Sequence, residues 1–474
     1  DTHQVSVGHS GCLYHGEHHR PDFIRIVSCQ DAVVSLTGQH ASGVLVGDRL
    51  EVGKRLRYDP FSAAGKHIVS IGVHVAVRHE DHLFTGGLDL WKTVNGGQSW
   101  TKISDWTLMY YGGGDEYVHA DQHTILFRPG NPQHAIFSSD GGIFLSTNAN
   151  QAVPIFTERN QGFNSLQFYT CALNPTAGSE QFVGGLQDNG SWRGPSYAWY
   201  NGPLINEMYD FLIGGDGFDA MPVPGDSRYC YAQSQGGAVR RFDVLTGWNK
   251  SIRPSAEAGE KLRFNWNSAL AQDPFDSNTI YFGSQFVHKS TDRGDTWIKI
   301  SPDLTTNDPD KQNQDQSGGI TTDATGAENH CTVITISPSP VRQGVIWAGT
   351  DDGMIQVTED GGRTWKNTSR NIKGMPRSGW VPQVTASAHN PGEAFAVIND
   401  YRQGDNAAYL FRTTDFGKNW QRIIDDTDVW GYVLCFVQDP VEPKLMFAGT
   451  EYGLYVSFDA GDNWNRWISG YPTV

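Results

Sequence analysis

The chain has 474 residues and a formal net charge of -16, from 52 acidic against 36 basic residues, with 54 glycines and 15 tryptophans. A surface this acidic repels phosphate backbones, which excludes non-sequence-specific nucleic-acid binding, and no basic tract or basic amphipathic helix is present to dock on an anionic membrane. The longest apolar runs, such as residues 432–437, are strand-sized and far short of a membrane span, while the wealth of glycine and aromatics suits many short strands joined by tight turns.

Residues 1–66 carry six of the 16 histidines (His3, His9, His15, His18, His19 and His40), scattered at no ligand-like spacing and within no recognisable unit. The segment completes a blade, belongs to a second domain, or is irregular. Asp1 in place of Met fits a mature secreted chain or a fragment. The cysteines (Cys12, Cys29, Cys171, Cys230, Cys331 and Cys435) include no CxxC pair, so neither a zinc knuckle nor a redox motif is indicated. Cys12 with Cys29 is the one pair considered for bridging; Cys171, Cys331 and Cys435 fall in predicted strands and read as small buried hydrophobes.

From residue 67 onward one unit recurs. Its clearest phrase runs from Thr93 through Asn95, Gly97 and Ser99 to Trp100. It returns from Ser290 through Asp292 to Trp297, from Thr358 through Asp360 to Trp365, from Thr413 through Asp415 to Trp420, and from Ser457 through Asp459 to Trp464. The pattern [S/T]-x-[D/N]-x-G-x-[S/T/N]-W is the Asp box, and its residues are those of a hairpin corner. The carboxylate or amide oxygen accepts from loop amides, glycine supplies positive φ, and the tryptophan opens the next strand and packs between sheets. These residues therefore read as structural. Loss of the Asp360 carboxylate is expected to cost stability and leave ligand affinity alone.

A strand, a small-residue turn and a second strand precede each phrase, as at 83–91, 279–287, 345–355 and 445–455; the same pair without a clean box occurs at 135–146, 181–193, 228–241 and 394–412. Before each pair stands an apolar strand ending in a Pro- or Asp-containing turn, at 123–129, 169–175, 269–274, 332–338, 384–391 and 432–440. Strand A, strands B and C, the box, then strand D make a unit of about 50 residues, the size of one propeller blade, repeated about eight times between 67 and 467. The expectation is an all-β, Asp-box β-propeller of seven to eight four-stranded blades over 67–474, with a polar insertion at 301–327.

The stretches 184–192 (GGLQDNGSW), 214–218 (GGDGF), 263–267 (RFNWN), 289–297 (KSTDRGDTW) and 300–308 (ISPDLTTND) resemble those of large secreted bacterial proteins with sortilin-like, BNR (Asp-box) repeats. The resemblance covers residues 68–474. Such proteins are often labelled glycosyl hydrolases through similarity to xyloglucanases and sialidases, and usually carry more sequence on both sides, often a second propeller. The resemblance implies a secreted or cell-surface location. Sialidase residues do not carry over: the one echo, Phe23-Ile24-Arg25-Ile26, lacks the proline and the order of the sialidase start. Xyloglucanases use two aspartates across a cleft between two propellers, so no carboxylate is carried over from them either.

In such a blade the start of strand A and the B–C turn share one edge, and the box lies at the other; binding residues are expected on the first. The strand A starts supply His119, Asp121, His123, Asp216, Asn265, Trp266, Asn267, Glu328, Asn329, His330, Trp380 and Trp430. The B–C turns supply Asp140, Gln187, Asp188, Asn189, Asp351, Asp352, Asp400, Tyr401, Arg402 and Glu451. Amides and carboxylates bind hydroxyls and indoles stack on sugar faces, so this set points to a glycan or an extracellular protein as ligand. Capping of strand ends is the competing role for each residue. If the chain is instead a hydrolase, an acid would come from Asp188, Asp216, Glu328, Asp352 or Glu451. A third reading is a structural subunit of a larger surface assembly that docks through 301–327. His119-x-Asp121-x-His123 would place three ligand types on one strand face, but the spacing fixes no complete metal set; no metal and no cofactor is expected.

Overall fold

The computed structural model describes residues 82–162, 166–174, 181–196, 204–312, 329–377 and 379–470, and the backbone alone of strands His3–Ser6, Leu13–Gly16 and His74–His79. Cys12 and Cys29 lie outside them. The chain is all-β, with short 3-10 turns as its helical pieces among the described residues. Among the described residues, besides a hairpin of the first two strands, there are eight four-stranded antiparallel sheets, each made of four consecutive strands in the order A-B-C-D. These are the blades of a β-propeller. Two compact units divide the chain, Asp1–Ser165 and Leu166–Val474.

Unit one holds blades 1 and 2, whose A strands are His74–His79 and Gln122–Arg128. Unit two holds blades 3 to 8, whose A strands are Phe168–Leu173, Ala220–Val223, Leu270–Gln272, Val333–Pro338, Trp380–Ala386 and Val433–Gln438. The B strands are buried along their whole length where sheets cover both faces, as in Ile280–Gly283, Ile346–Thr350 and Ala394–Asp400. This is why they read as continuous apolar runs rather than as alternation. The D strands are short and exposed, as in Ile298–Lys299 and Lys366–Asn367, which leaves little edge to pair with another chain.

Each hydrophobic cluster is shared by two successive blades. Trp347, Ile355 and Val357 of blade 6 pack with Val381, Val384 and Phe411 of blade 7, and Phe395 and Leu410 of blade 7 with Phe436, Met446 and Tyr455 of blade 8. Burial of one such side chain stabilises by about 1.5–3 kcal/mol, so a blade gains its core only from its neighbours. Cys230 and Cys331 are buried, but Cys171 and Cys435 are exposed, contrary to their reading as core residues. Their A strands, Phe168–Leu173 and Val433–Gln438, carry exposed side chains at several positions.

The repeated turn phrase closes every C–D corner where it occurs. In blade 6 the Asp360 carboxylate accepts from Thr358 Oγ1 (2.9 Å), Thr364 N (2.9 Å) and Thr364 Oγ1 (2.7 Å). The same three-point pattern surrounds Asp292, Asp415 and Asp459. Asn95 repeats it with an amide, donating to Ser99 Oγ at 2.9 Å. A sixth copy escaped the sequence pattern because it lacks the glycine and the tryptophan: Asn148 Oδ1 accepts from Ser146 Oγ (3.1 Å) and Ile155 N (2.8 Å).

The phrase also fastens one blade to the one before it. Trp297, Trp365 and Trp464 donate from Nε1 to Ile252 O (2.7 Å), Ile300 O (2.9 Å) and Ile423 O (2.8 Å) at the preceding D strand. Gly362, at φ +97, passes so close that an added Cβ would lie 2.6 Å from Ile300 O. Glycine is needed there for both reasons. Trp420 departs from this scheme and packs edge-on to Trp347 instead, ring centroids 5.8 Å apart.

These bonds set a pH profile. The Thr364 bonds hold the Asp360 carboxyl down at about 2, and bonds from Asn463 lower that of Asp459. Folded-state values below the unfolded ones mean that this stability is present above about pH 4 and lost as the pH falls toward 2. At higher pH two pairs oppose each other. Burial lowers His288 and His330 to about 4, so their contribution improves as the pH rises from about 4 to 6.5. Burial raises Asp219 to about 6, and burial together with the Asp352 charge raises Asp351 to about 7, so theirs declines over nearly the same interval. The melting temperature is expected to be nearly level between about pH 4.5 and 6.5 and to drop steeply below about pH 4. Asp360→Ala should lower the level and soften that drop. A melting curve that falls steadily across the neutral range, with no acid limb, would contradict this.

Candidate functional site

Register places the start of strand A and the B–C turn at one edge of every sheet: Val333 pairs with Thr350 and Gly349 with Ile355 in blade 6, and Val433 with Thr450 in blade 8. The turn phrases sit at the opposite edge. The sequence-predicted residues therefore share an edge blade by blade.

In unit one, Asp121 adopts φ +62, strand A of blade 2 begins at Gln122, and its register shifts before Thr124. The alternation that would align His119, Asp121 and His123 is thereby broken. His119 is buried beneath the B–C turn, where a Cβ on Gly141 would strike its ring, whereas His123 is exposed and bonds Asp140. The three do not form one ligand face.

In unit two the edge is a chain of contacts from blade to blade. Asp216 accepts from Asp188 N (2.9 Å), Gln235 Nε2 (2.9 Å) and Trp266 Nε1 (3.1 Å), tying blades 3, 4 and 5 together. The glycines of 214–218 make this possible, since a Cβ on Gly217 would lie 2.2 Å from Gly190 O. Gln187 N bonds Gln167 O at 2.9 Å, and Asn189 O accepts from Trp192 Nε1 at 2.7 Å, so these two brace their own turn.

Between blades 5 and 6 stands Asp351, fully buried, accepting from Thr332 N (2.8 Å), Thr332 Oγ1 (2.6 Å) and Asn265 Nδ2 (2.8 Å). Asn329 Nδ2 donates back to Phe264 O at 2.8 Å. Asn267 Oδ1 is buried without a hydrogen-bond partner among the described residues. Asp352 accepts from Thr350 Oγ1 (2.5 Å), Thr306 N (2.7 Å) and Thr306 Oγ1 (2.6 Å). The first part of the polar insertion is thus packed: Leu304 is buried, its carbonyl takes Gln356 Nε2 at 2.9 Å, and residues 313–328, Glu328 among them, lie outside the described set. With both oxygens committed, Asp216, Asp351 and Asp352 act as clamps between segments, which argues against acid–base or ligand-binding roles for them.

Blades 6 to 8 carry a different surface. The His330 ring meets Trp380 edge-on at 5.8 Å, the Arg402 guanidinium lies 3.7 Å over Trp380 and 4.4 Å over Tyr401, and Tyr401 stacks on Tyr432 at 4.3 Å and 19°. Tyr401 and Arg402 ride on a 3-10 turn, Tyr401–Gln403, that follows the buried Asp400 and is closed by Gly404 at φ +82. Trp430 is 65% exposed and Tyr452 54%, and the backbone following Trp430 passes the Tyr452 ring so closely that a Cβ on Gly431 would lie 2.6 Å from it. Glu451 is exposed beside them, and its charge helps to raise the Tyr432 phenol, burial being the larger cause. Tyr432 and Tyr452 were missed as site residues; their positions at a strand A start and a B–C turn were the available signal.

The chain matches no known family profile. Over 124 residues it is 32% identical to a probable oligoxyloglucan-reducing end-specific xyloglucanase of Neosartorya fischeri, a match spanning 24% of this chain and 14% of that protein. Among solved structures, it is similar to a GH74 enzyme of Niastella koreensis, at 14% identity over 81% of this chain and 69% of that one, with a TM-score of 0.24. It is also similar to a GH74 xyloglucanase of Xanthomonas campestris, at 11% identity over 81% and 71%, with a TM-score of 0.29. The fold class rests on the chain's own eight sheets. Among the described residues, no helix is long and apolar enough to cross a membrane.

Proposed function

We propose that this chain is a secreted, carbohydrate-recognising propeller of the Asp-box, sortilin-like kind, and that a sugar ring stacks on the aromatic row of blades 7 and 8. The observation that carries this is the row itself. Trp430 and Tyr452 are exposed at the sheet edge that carries the strand A starts and B–C turns of their own blades, while Tyr401 stacks on Tyr432 and the Arg402 guanidinium lies over Trp380. Exposed aromatics rarely cluster without a partner, and rigid ones bind at low entropic cost. Indole and phenol faces cover the apolar face of a sugar ring while neighbouring polar groups take its hydroxyls.

A protein ligand would use the same residue types, and the xyloglucanase match keeps hydrolysis as the second reading. Of the candidate acids, Glu451 is exposed, at a B–C turn beside the row. The test is calorimetric titration against a panel of plant and bacterial oligosaccharides, xyloglucan fragments included. Trp430→Ala and Tyr452→Ala should each weaken binding about tenfold or more without moving the melting temperature. Wild-type affinity in both variants would remove the platform. Release of reducing ends from the bound sugar would select the hydrolase reading.

A further inference from the structure

We infer that the saccharide taken by this row is acidic, and that Arg402 reads its carboxylate; the inference rests on the carbohydrate reading above. Eight of the described arginines hold a carboxylate, Arg193, Arg228, Arg241, Arg263, Arg293 and Arg412 among them. Arg402 holds none. Among the described residues it makes no ion pair and no hydrogen bond, and its contacts are the two ring faces of Trp380 and Tyr401.

Those rings hold the guanidinium plane but occupy none of its five N–H donors, which lie in a rigid fork matched to a carboxylate. A half-buried cation in a protein of net charge -16 has carboxylates in ample supply. Without a counter-ion, this guanidinium keeps its N–H fork available to an anion at the same sheet edge as the exposed Trp430 and Tyr452. Hexuronic acids combine the two, a pyranose with an apolar face and a carboxylate at its rim.

The overall negative charge does not prevent this. At physiological salt, charges more than about 8–10 Å away are largely screened, so the local guanidinium dominates the encounter. Glu451, at the Tyr432 end of the row, opposes an anion there and accepts hydroxyls instead, which orients the sugar with its carboxylate toward Arg402.

The experiment uses the full chain and two matched sets of probes: oligogalacturonate and glucuronate-containing oligosaccharides, and the methyl esters of the same sugars. Ring stacking is common to both sets; only the charge differs. The acid should bind about tenfold or more tighter than its ester, as expected for a charge-assisted hydrogen-bonded pair. Arg402→Gln should bring the two within about twofold of each other, while Trp430→Ala weakens both alike. Equal binding of acid and ester by the wild type, or discrimination that survives in Arg402→Gln, would overturn the inference and leave the carbohydrate reading standing. Failure of every sugar, acid or neutral, would overturn both. A peptide bound through its free C-terminal carboxylate, and lost on amidation, would replace the saccharide with a protein ligand.

Discussion

Asp351→Ala is expected to be among the most damaging single substitutions in the chain, lowering stability by about 3–5 kcal/mol. The carboxylate is wholly buried and takes three donors at once: the Thr332 amide, the Thr332 hydroxyl and the Asn265 side chain. Alanine strands all three. Each stranded donor costs about 1–3 kcal/mol, and partial relaxation keeps the total below the sum. The loss also uncouples the starts of blades 5 and 6, so it should appear in urea as one cooperative shift rather than as a local loosening.

Asp351→Asn should cost less, since it keeps an oxygen for the Thr332 amide, and its cost should depend on pH in a definite direction. Burial and the Asp352 charge push the Asp351 carboxyl up to about 7. The folded state thus keeps a proton that the unfolded chain releases near pH 4, and the wild type loses stability at this residue as the pH rises from about 4 to 7. Asparagine has no such dependence. The deficit of the variant should therefore be larger at pH 5 than at pH 8. The reverse order, or a deficit that does not change, would show that Asp351 is charged in the fold throughout.

Trp347→Ala should destabilise by a similar amount, about 3–5 kcal/mol, for a different reason. Trp347 has no exposed surface; it fills the layer between blades 6 and 7 against Trp420 and belongs to the same cluster as Val381 and Phe411. Alanine leaves a cavity that two packed sheets cannot close. The indole also carries a liability, for its Nε1–H is buried without an acceptor among the described residues. Trp347→Phe removes that unpaired donor while keeping most of the ring, so its cost should be well under half that of alanine. Guanidinium melts of the two variants decide the point. A phenylalanine variant as unstable as the alanine one would mean that the indole N–H does have a partner.

How far these features were legible in the sequence can be followed residue by residue. The turn phrase at Asp292, Asp360, Asp415 and Asp459 was readable because its chemistry is local: Thr or Ser, Asp, Gly and the following hydroxyl or amide bond one another within seven positions. From its recurrence followed the strand order within each blade, and from that the shared edge of the strand A starts and B–C turns. Local order failed at Asp121, where a positive φ and a shifted register scattered the three residues that strict alternation would have aligned.

What each edge residue does was decided only by contacts between blades. Asp216, Asp351 and Asp352 look like any polar turn residue in sequence. Their distant donors come from 46 to 86 positions away, from Trp266, Asn265 and Thr306, so only packing shows them as clamps. The same holds for Arg402. Nothing in residues 400–404 tells a paired arginine from an unpaired one. Stacking on Trp380 from its own blade, and the support of Tyr401 by Tyr432 from the next, set the guanidinium in place without giving it a counter-ion. A repeat determines where a residue stands on its blade, because that depends on neighbours in sequence. Its chemical role depends on which side chains adjacent blades bring against it, and that is settled by the packing of one sheet on another.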